Sequence, residues 1–164
     1  QVSAGLGAGL EEIRVRGTRL LHTIMPLTIL LMIGAPWYFP LVFNPDFSEA
    51  APLFQIGLLV TLSRVLLPNS ILIGLGETRI LFFVGIAELV IKVLTGILFI
   101  YWWGLPGVMW SVVVSYWFEK AALAGYLYQK RDIRPSEWLN GKVYGFYFLV
   151  LILTTATMFV CGFN

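Results

Sequence analysis

Residues 53–103 hold two long apolar runs, each long enough to cross a bilayer, joined at Gly74-Leu75-Gly76-Glu77-Thr78-Arg79. Arg64 lies near the middle of the first run, and Glu88 and Lys92 lie inside the second. A charge at that depth in lipid costs at least ~3 kcal/mol on insertion scales. Three such groups are therefore expected to face other helices or a wet cavity rather than acyl chains. This hairpin is the first place to look for function.

Composition decides what surrounds the hairpin. Hydrophobic residues make up 59% of the 164 and charged residues 12%, and the mean hydropathy is +0.84. A soluble domain carries about twice that charged fraction, because water must wet its surface. The chain is therefore expected to be an all-α, polytopic membrane bundle. The net charge of +2 is too small to imply a nucleic-acid partner, and most basic residues flank apolar runs, where they act as topology signals. The single cysteine, Cys161, leaves the redox compartment open.

Five spans of about 20 residues or more can be drawn, at 20–43, 52–76, 80–103, 105–128 and 143–163. Continuous apolar runs favour helices over barrel strands, which alternate every residue. Pro26, Pro36 and Pro40 are expected to kink or break the first span towards its far end. Asn44-Pro45-Asp46-Phe47-Ser48-Glu49 reads as a polar connection, and Gly104-Leu105-Pro106-Gly107 as a tight turn. Before the first span, Val2 to Leu10 is apolar and Gly-rich and reads as the tail of an earlier helix. Together with the start at Gln1, this makes the chain look like the C-terminal piece of something longer. Residues 1–19 are accordingly a cytoplasmic leader or the end of a preceding helix, and 129–142 a cytoplasmic loop.

Lys and Arg set the expected orientation. Arg14, Arg16, Arg19, Arg79, Lys130, Arg131, Arg134 and Lys142 fall on one side, and the two opposite connections have none. By the positive-inside rule the start of the piece is cytoplasmic and its C-terminus is on the outer side. Trp37, Trp102, Trp103 and Trp138 sit at span ends and read as an interfacial belt.

The intramembrane charges fall into layers. Counted from the cytoplasmic ends, Arg64 and Lys92 are each twelve residues deep, Glu88 eight and Glu119 nine, at ~1.5 Å of rise per residue. Gly85, Glu88, Lys92, Thr95, Gly96 and Phe99 share one sector of their helix, as do Ser111, Ser115, Glu119, Ala122 and Tyr126, and Gly57, Thr61, Arg64 and Pro68. Either Glu88 and Lys92 neutralise each other while Arg64 partners Glu119, or all four line a polar cavity that meets a charged substrate or a proton. Lys120 falls off its stripe and is expected to snorkel to the cytoplasmic interface. His22, at the membrane edge, needs no special role.

Several chemistries are unsupported. One His and one Cys make neither a zinc site nor a haem-ligand pair, so no metal or cofactor is expected. There is no G-x-x-x-x-G-K-[ST] phosphate loop and no Ser-His-Asp grouping, so no enzymatic activity is expected.

The order of local patterns resembles the C-terminal half of a polysaccharide (O-antigen-type) flippase of the multidrug/oligosaccharidyl-lipid/polysaccharide exporter superfamily. A charged leader precedes a Pro-interrupted span ending Phe43-Asn44-Pro45-Asp46-Phe47. Ala51-Pro52-Leu53-Phe54-Gln55-Ile56 opens a span closed by Ile73-Gly74-Leu75-Gly76-Glu77-Thr78-Arg79. Trp103-Gly104-Leu105-Pro106-Gly107-Val108-Met109-Trp110-Ser111 is similar to the family's turn into its next helix. The likeness covers roughly residues 10–130. It implies one lobe of a pair of six-helix lobes facing each other across a central cavity. On that mapping 20–128 is a four-helix part of the second lobe and 143–164 an additional helix. The implied activity is translocation of a lipid-linked oligosaccharide across the cytoplasmic membrane by alternating access. Arg64 and Lys92 would bind its pyrophosphate or acidic sugars. The first lobe, absent here, would be a partner, as would membrane lipids. A cation-coupled multidrug exporter of the same superfamily, using Glu88 and Glu119 for ion coupling, and a non-transporting scaffold subunit stay open as alternatives.

Overall fold

The computed structural model of the chain describes residues 2–43 and 50–162, with side chains for 7–43 and 50–157. Among these residues the fold is all-α, with no strand. Its elements are α1 (Val2–Val42), α2 (Ala50–Val65), α3 (Pro68–Gly74), α4 (Thr78–Trp103), α5 (Leu105–Arg131), the short α6 (Pro135–Trp138) and α7 (Gly141–Gly162). Three segments are long and apolar enough to cross a membrane: Gly7–Val42, Ala50–Gly74 and Thr78–Trp103. This is a helical membrane protein. α5 has the length as well, but Glu119, Lys120, Lys130 and Arg131 make it more polar. The described apolar part of α7 is Gly141–Thr157. The polar connection expected at 44–49 and the end of the last span lie outside the described residues.

Helices α4, α5, α2 and α1 pack side by side in that order, and α7 lies against α1 and α2. The main core gathers Leu21, Met25 and Met32 of α1, Leu62 and Leu72 from the second span, Leu123 and Leu127 of α5, and Leu151 of α7. Each of these is almost fully enclosed. Helix α4 stands at the edge of the layer: of its residues only Val84 is buried. Phe82, Leu89, Leu94 and Ile97 are left facing outward, as a lipid-facing flank requires.

Small residues set how closely the helices approach. A Cβ on Gly107 would lie 2.2 Å from the backbone oxygen of Phe99, so α5 starts with its backbone pressed directly on α4. Gly104, at φ 63°, turns the chain between them. Further along, Gly96 faces the Ser111 hydroxyl and Gly57 faces Met109. Ser111 and Ser115 are buried, and their hydroxyls bond carbonyls of their own helix, Val108 at 2.7 Å and Ser111 at 2.6 Å. Part of the polar stripe read from the sequence of α5 is thus a packing seam. Small side chains permit the approach, and their hydroxyls are already satisfied.

Pro26, Pro36 and Pro40 were expected to kink or break the first span; there is no break, for α1 runs through all three, and the leader belongs to that same helix. Prolines are tolerated in such helices when neighbours compensate for the lost bonds. The second span breaks instead, at Leu66-Leu67, between α2 and α3. There the Leu66 N–H turns to the Ser63 carbonyl at 3.2 Å, which strips the Leu62 carbonyl of its helical donor. The Tyr144 hydroxyl of α7 replaces that donor, at 3.1 Å and buried. Pro68 has no N–H to offer the Arg64 carbonyl.

Two stability outcomes follow. Gly107→Ala forces a methyl into the Phe99 backbone, which cannot yield as a side chain tip can. A loss of ~1–3 kcal/mol or more should appear as a lowered unfolding midpoint in detergent. Tyr144→Phe leaves the Leu62 carbonyl unpaired in the core and should cost ~1–3 kcal/mol. Tyr147→Phe, about one turn on and with no hydroxyl bond among the described residues, serves as the comparison.

Candidate functional site

Two cations of the spanning helices, Arg64 and Lys92, converge on Tyr116 of α5. Arg64, in the last turn of α2, donates from Nη2 to the Tyr116 hydroxyl at 3.1 Å, with its guanidinium carbon 5.2 Å from the ring centre. Lys92 of α4 reaches the same ring from the other neighbour, its Nζ 4.8 Å from the centre. The two cations are thus no more than about 10 Å apart. The electron-rich face of the phenol attracts both, by ~0.5–2 kcal/mol each according to exposure. Lys92 also donates to Glu88 at 2.7 Å, with 31% and 16% of the two side chains exposed. Arg64 is exposed and has no carboxylate partner among the described residues.

Helical geometry explains the convergence. Trp117 turns towards α7, with its ring 6.3 Å from Tyr144 and 5.6 Å from Phe148. Tyr116 precedes it by one residue, about 100° round the helix, and so points away from α7, over the seam between α2 and α4. Trp110 and Trp117 line an apolar cavity of ≈ 370 Å³ between α2, α5 and α7. The two faces of α5 therefore differ in kind, one aromatic and apolar, the other holding charge.

A second polar group lies one turn along α5. Asn69, just after the break, donates to Glu119 Oε1 at 3.0 Å. Lys120 donates to Asn69 Oδ1 at 2.9 Å and to Glu119 at 3.1 Å. The three side chains close a ring in which each charge is met, as partly buried ions require.

The sequence-predicted site residues fall into two sets. Arg64, Lys92 and Glu88 come together; Glu119 belongs to the neighbouring ring. The Arg64–Glu119 pairing, one of the two alternatives, is not formed: Asn69 and Lys120 occupy that carboxylate and Arg64 finds the phenol. Lys120, expected to snorkel outwards, is 8% exposed and turned to Asn69. Trp138, expected in an interfacial belt, is 4% exposed and packs against α1 near Gly17 and Leu21, with its indole N–H unpartnered. Trp37, Trp102 and Trp103 are exposed.

Sequence reasoning missed Tyr116 and Asn69. Neither carries a charge, so neither raises the insertion cost that flagged the others. The available signals were an amide inside an apolar run directly after a proline, and a phenol one turn before Glu119. No group of three His, Cys, Asp or Glu side chains comes close enough to hold a metal among the described residues.

The basic end of the bundle is held by a third group. Arg131, at the end of α5, bonds Glu77 in the α3–α4 turn, and the Tyr126 hydroxyl donates to the same carboxylate at 3.2 Å. With Trp138 against α1, these contacts bring the leader, the α3–α4 turn and the 129–142 loop to one end. Comparison with protein-family models, curated proteins and solved structures finds no match.

The hydrogen bonds from Arg131 and Tyr126, with the charge of Arg131, hold the Glu77 carboxyl below the ordinary carboxylate range, against a smaller opposing effect of burial. A lowered folded-state value means the unfolded chain takes up the proton first. The clasp therefore stabilises fully above the ordinary carboxylate range and is lost as pH falls through the lowered value. Unfolding midpoints in detergent from neutral to acid pH should show a fall in wild type that is reduced in Glu77→Gln.

Proposed function

We propose that this chain is part of a membrane transporter that moves a lipid-linked oligosaccharide, of the O-antigen or related polysaccharide precursor type, across the cytoplasmic membrane by alternating access. One observation carries the proposal: two cations from different helices share the ring of Tyr116, and among the described residues only one carboxylate, Glu88, sits with them. With the Glu119–Lys120 pair neutral, a positive charge remains uncompensated among helices otherwise built for lipid. Such charge is costly unless it meets an anion, and a pyrophosphate or acidic sugar supplies one.

The ordered motifs from the charged leader to Gly107 support the assignment to one lobe of a polysaccharide flippase. The cluster faces away from α7, where an opposing lobe would close the cavity. The gathering of eight basic residues at one end supports an inner-membrane orientation with that end cytoplasmic. The partners are the lipid-linked glycan, the first lobe and the surrounding lipids.

The test is export by the full-length transporter carrying substitutions in this segment. A charged hydrogen bond is worth ~1.5–3 kcal/mol, so Arg64→Ala and Lys92→Ala should each lower glycan export by at least about tenfold. The Asn69–Glu119–Lys120 ring beside a helix break favours a second reading, a cation-coupled multidrug exporter, since broken helices commonly border ion sites. Loss confined to Glu88→Gln and Glu119→Gln would favour that reading. Unchanged activity with all four residues neutralised and packing intact would point to a scaffold subunit.

A further inference from the structure

The basic end holds a set of polar side chains that the Tyr116 cluster does not use. Arg14, Thr18, Arg19 and His22 of α1 line a groove bounded on its other side by Asn140, just before α7, with a volume of ≈ 450 Å³. The Arg19 guanidinium has no hydrogen bond or ion pair among the described residues. Glu11, which also lines the groove, is paired with Arg14 at 3.4 Å, in a contact largely open to solvent. The surplus charge of the groove is therefore that of Arg19.

His22 is aimed by its surroundings. Its Nδ1 lies 2.8 Å from the Thr18 carbonyl; a carbonyl can only accept, so Nδ1 carries a proton and Nε2 of the neutral ring is left to accept from a donor such as a headgroup hydroxyl. The ring stands edge-on to Tyr147 of α7 at 5.7 Å, which fixes its level beside the second turn of that helix. Beyond His22 the same face of α1 continues as Pro26, Leu30 and Ile33, at helical spacing. Leu30 and Ile33 are exposed apolar side chains within the spanning segment. A polar, cationic pocket thus opens directly onto an apolar track.

We propose that this groove binds the phosphate of an anionic phospholipid, with Arg19, Arg14 and His22 around the headgroup and an acyl chain along Pro26, Leu30 and Ile33. The guanidinium N–H donors of Arg19 and Arg14 suit phosphate oxygens, and basic pockets at this level of a membrane protein take anionic headgroups. The track of Leu30 and Ile33 selects a lipid over a free anion, because inorganic phosphate gains nothing from it.

The test uses the full chain in detergent micelles doped with phosphatidylglycerol or phosphatidylcholine, with retained lipid counted by native mass spectrometry. Phosphatidylglycerol should be retained in preference to phosphatidylcholine. Retention should fall about fivefold in Arg19→Gln, the loss expected for one basic residue near an anionic lipid, and further when His22→Phe is added. Lys130→Gln, at the same end but outside the groove, should leave it unchanged. An equal fall in Lys130→Gln would reduce the effect to diffuse surface attraction and overturn the proposal. So would unchanged retention in Arg19→Gln, equal retention of phosphatidylcholine, or displacement of the lipid by millimolar inorganic phosphate. Arg19 is exposed and His22→Phe keeps the ring against Tyr147, so neither change threatens the fold.

Discussion

A helix inside lipid has no water to complete its hydrogen bonds, so every interruption must be repaired by a neighbour. The break at Leu66-Leu67 is where this chain meets that requirement, and the surrounding helices are arranged around the repair. Tyr144 reaches from α7 to the carbonyl that the break exposes. Asn69, at the start of α3, joins Glu119 and Lys120 of α5. Arg64, two residues before the break, turns its guanidinium to Tyr116. A continuous helix at this place would keep the Leu62 carbonyl bonded within itself and leave the Tyr144 hydroxyl no such partner.

The electrostatics follow from that arrangement. Ions in a low-dielectric layer are tolerable when paired, and the penalty for leaving one unpaired is steep. Glu119 and Lys120 are neighbours in sequence, and Asn69 completes their geometry. Glu88 and Lys92 are one helical turn apart and meet directly. Arg64 alone is served by an aromatic ring in place of a carboxylate, and it shares that ring with Lys92. A phenol lowers the cost of a cation without neutralising it, so the pair can still attract an anion. An aspartate at 116 would cancel that attraction.

Much of this was legible in one dimension. The periodicity of α4 put Glu88, Lys92, Gly96 and Phe99 on one face, and that is the face meeting α5. Residue counting set Arg64 and Lys92 at one level, and they meet on one ring. The glycines at 76 and 104 marked turns and adopt positive φ there. What escaped depended on contacts far apart in sequence. Proline chemistry alone does not say whether α1 or the second span breaks. The outcome at Leu66 rests on a tyrosine 82 residues from Leu62, whose carbonyl it takes up. Lys120 resembles any interfacial lysine until Asn69 is set beside it. Trp138 resembles a belt residue until α1 is found covering it.

The seat of Gly107 on the Phe99 backbone has a mechanical meaning. Two helices whose main chains touch across a missing side chain cannot slide lengthwise past each other without the next residue's Cβ striking the opposing chain. The α4–α5 hairpin is therefore latched against axial slip, and a displacement applied to one arm is handed to the other. Lys92 and Tyr116 stand one on each arm, so the backbones that carry them move together, while Arg64 belongs to a helix outside the latch.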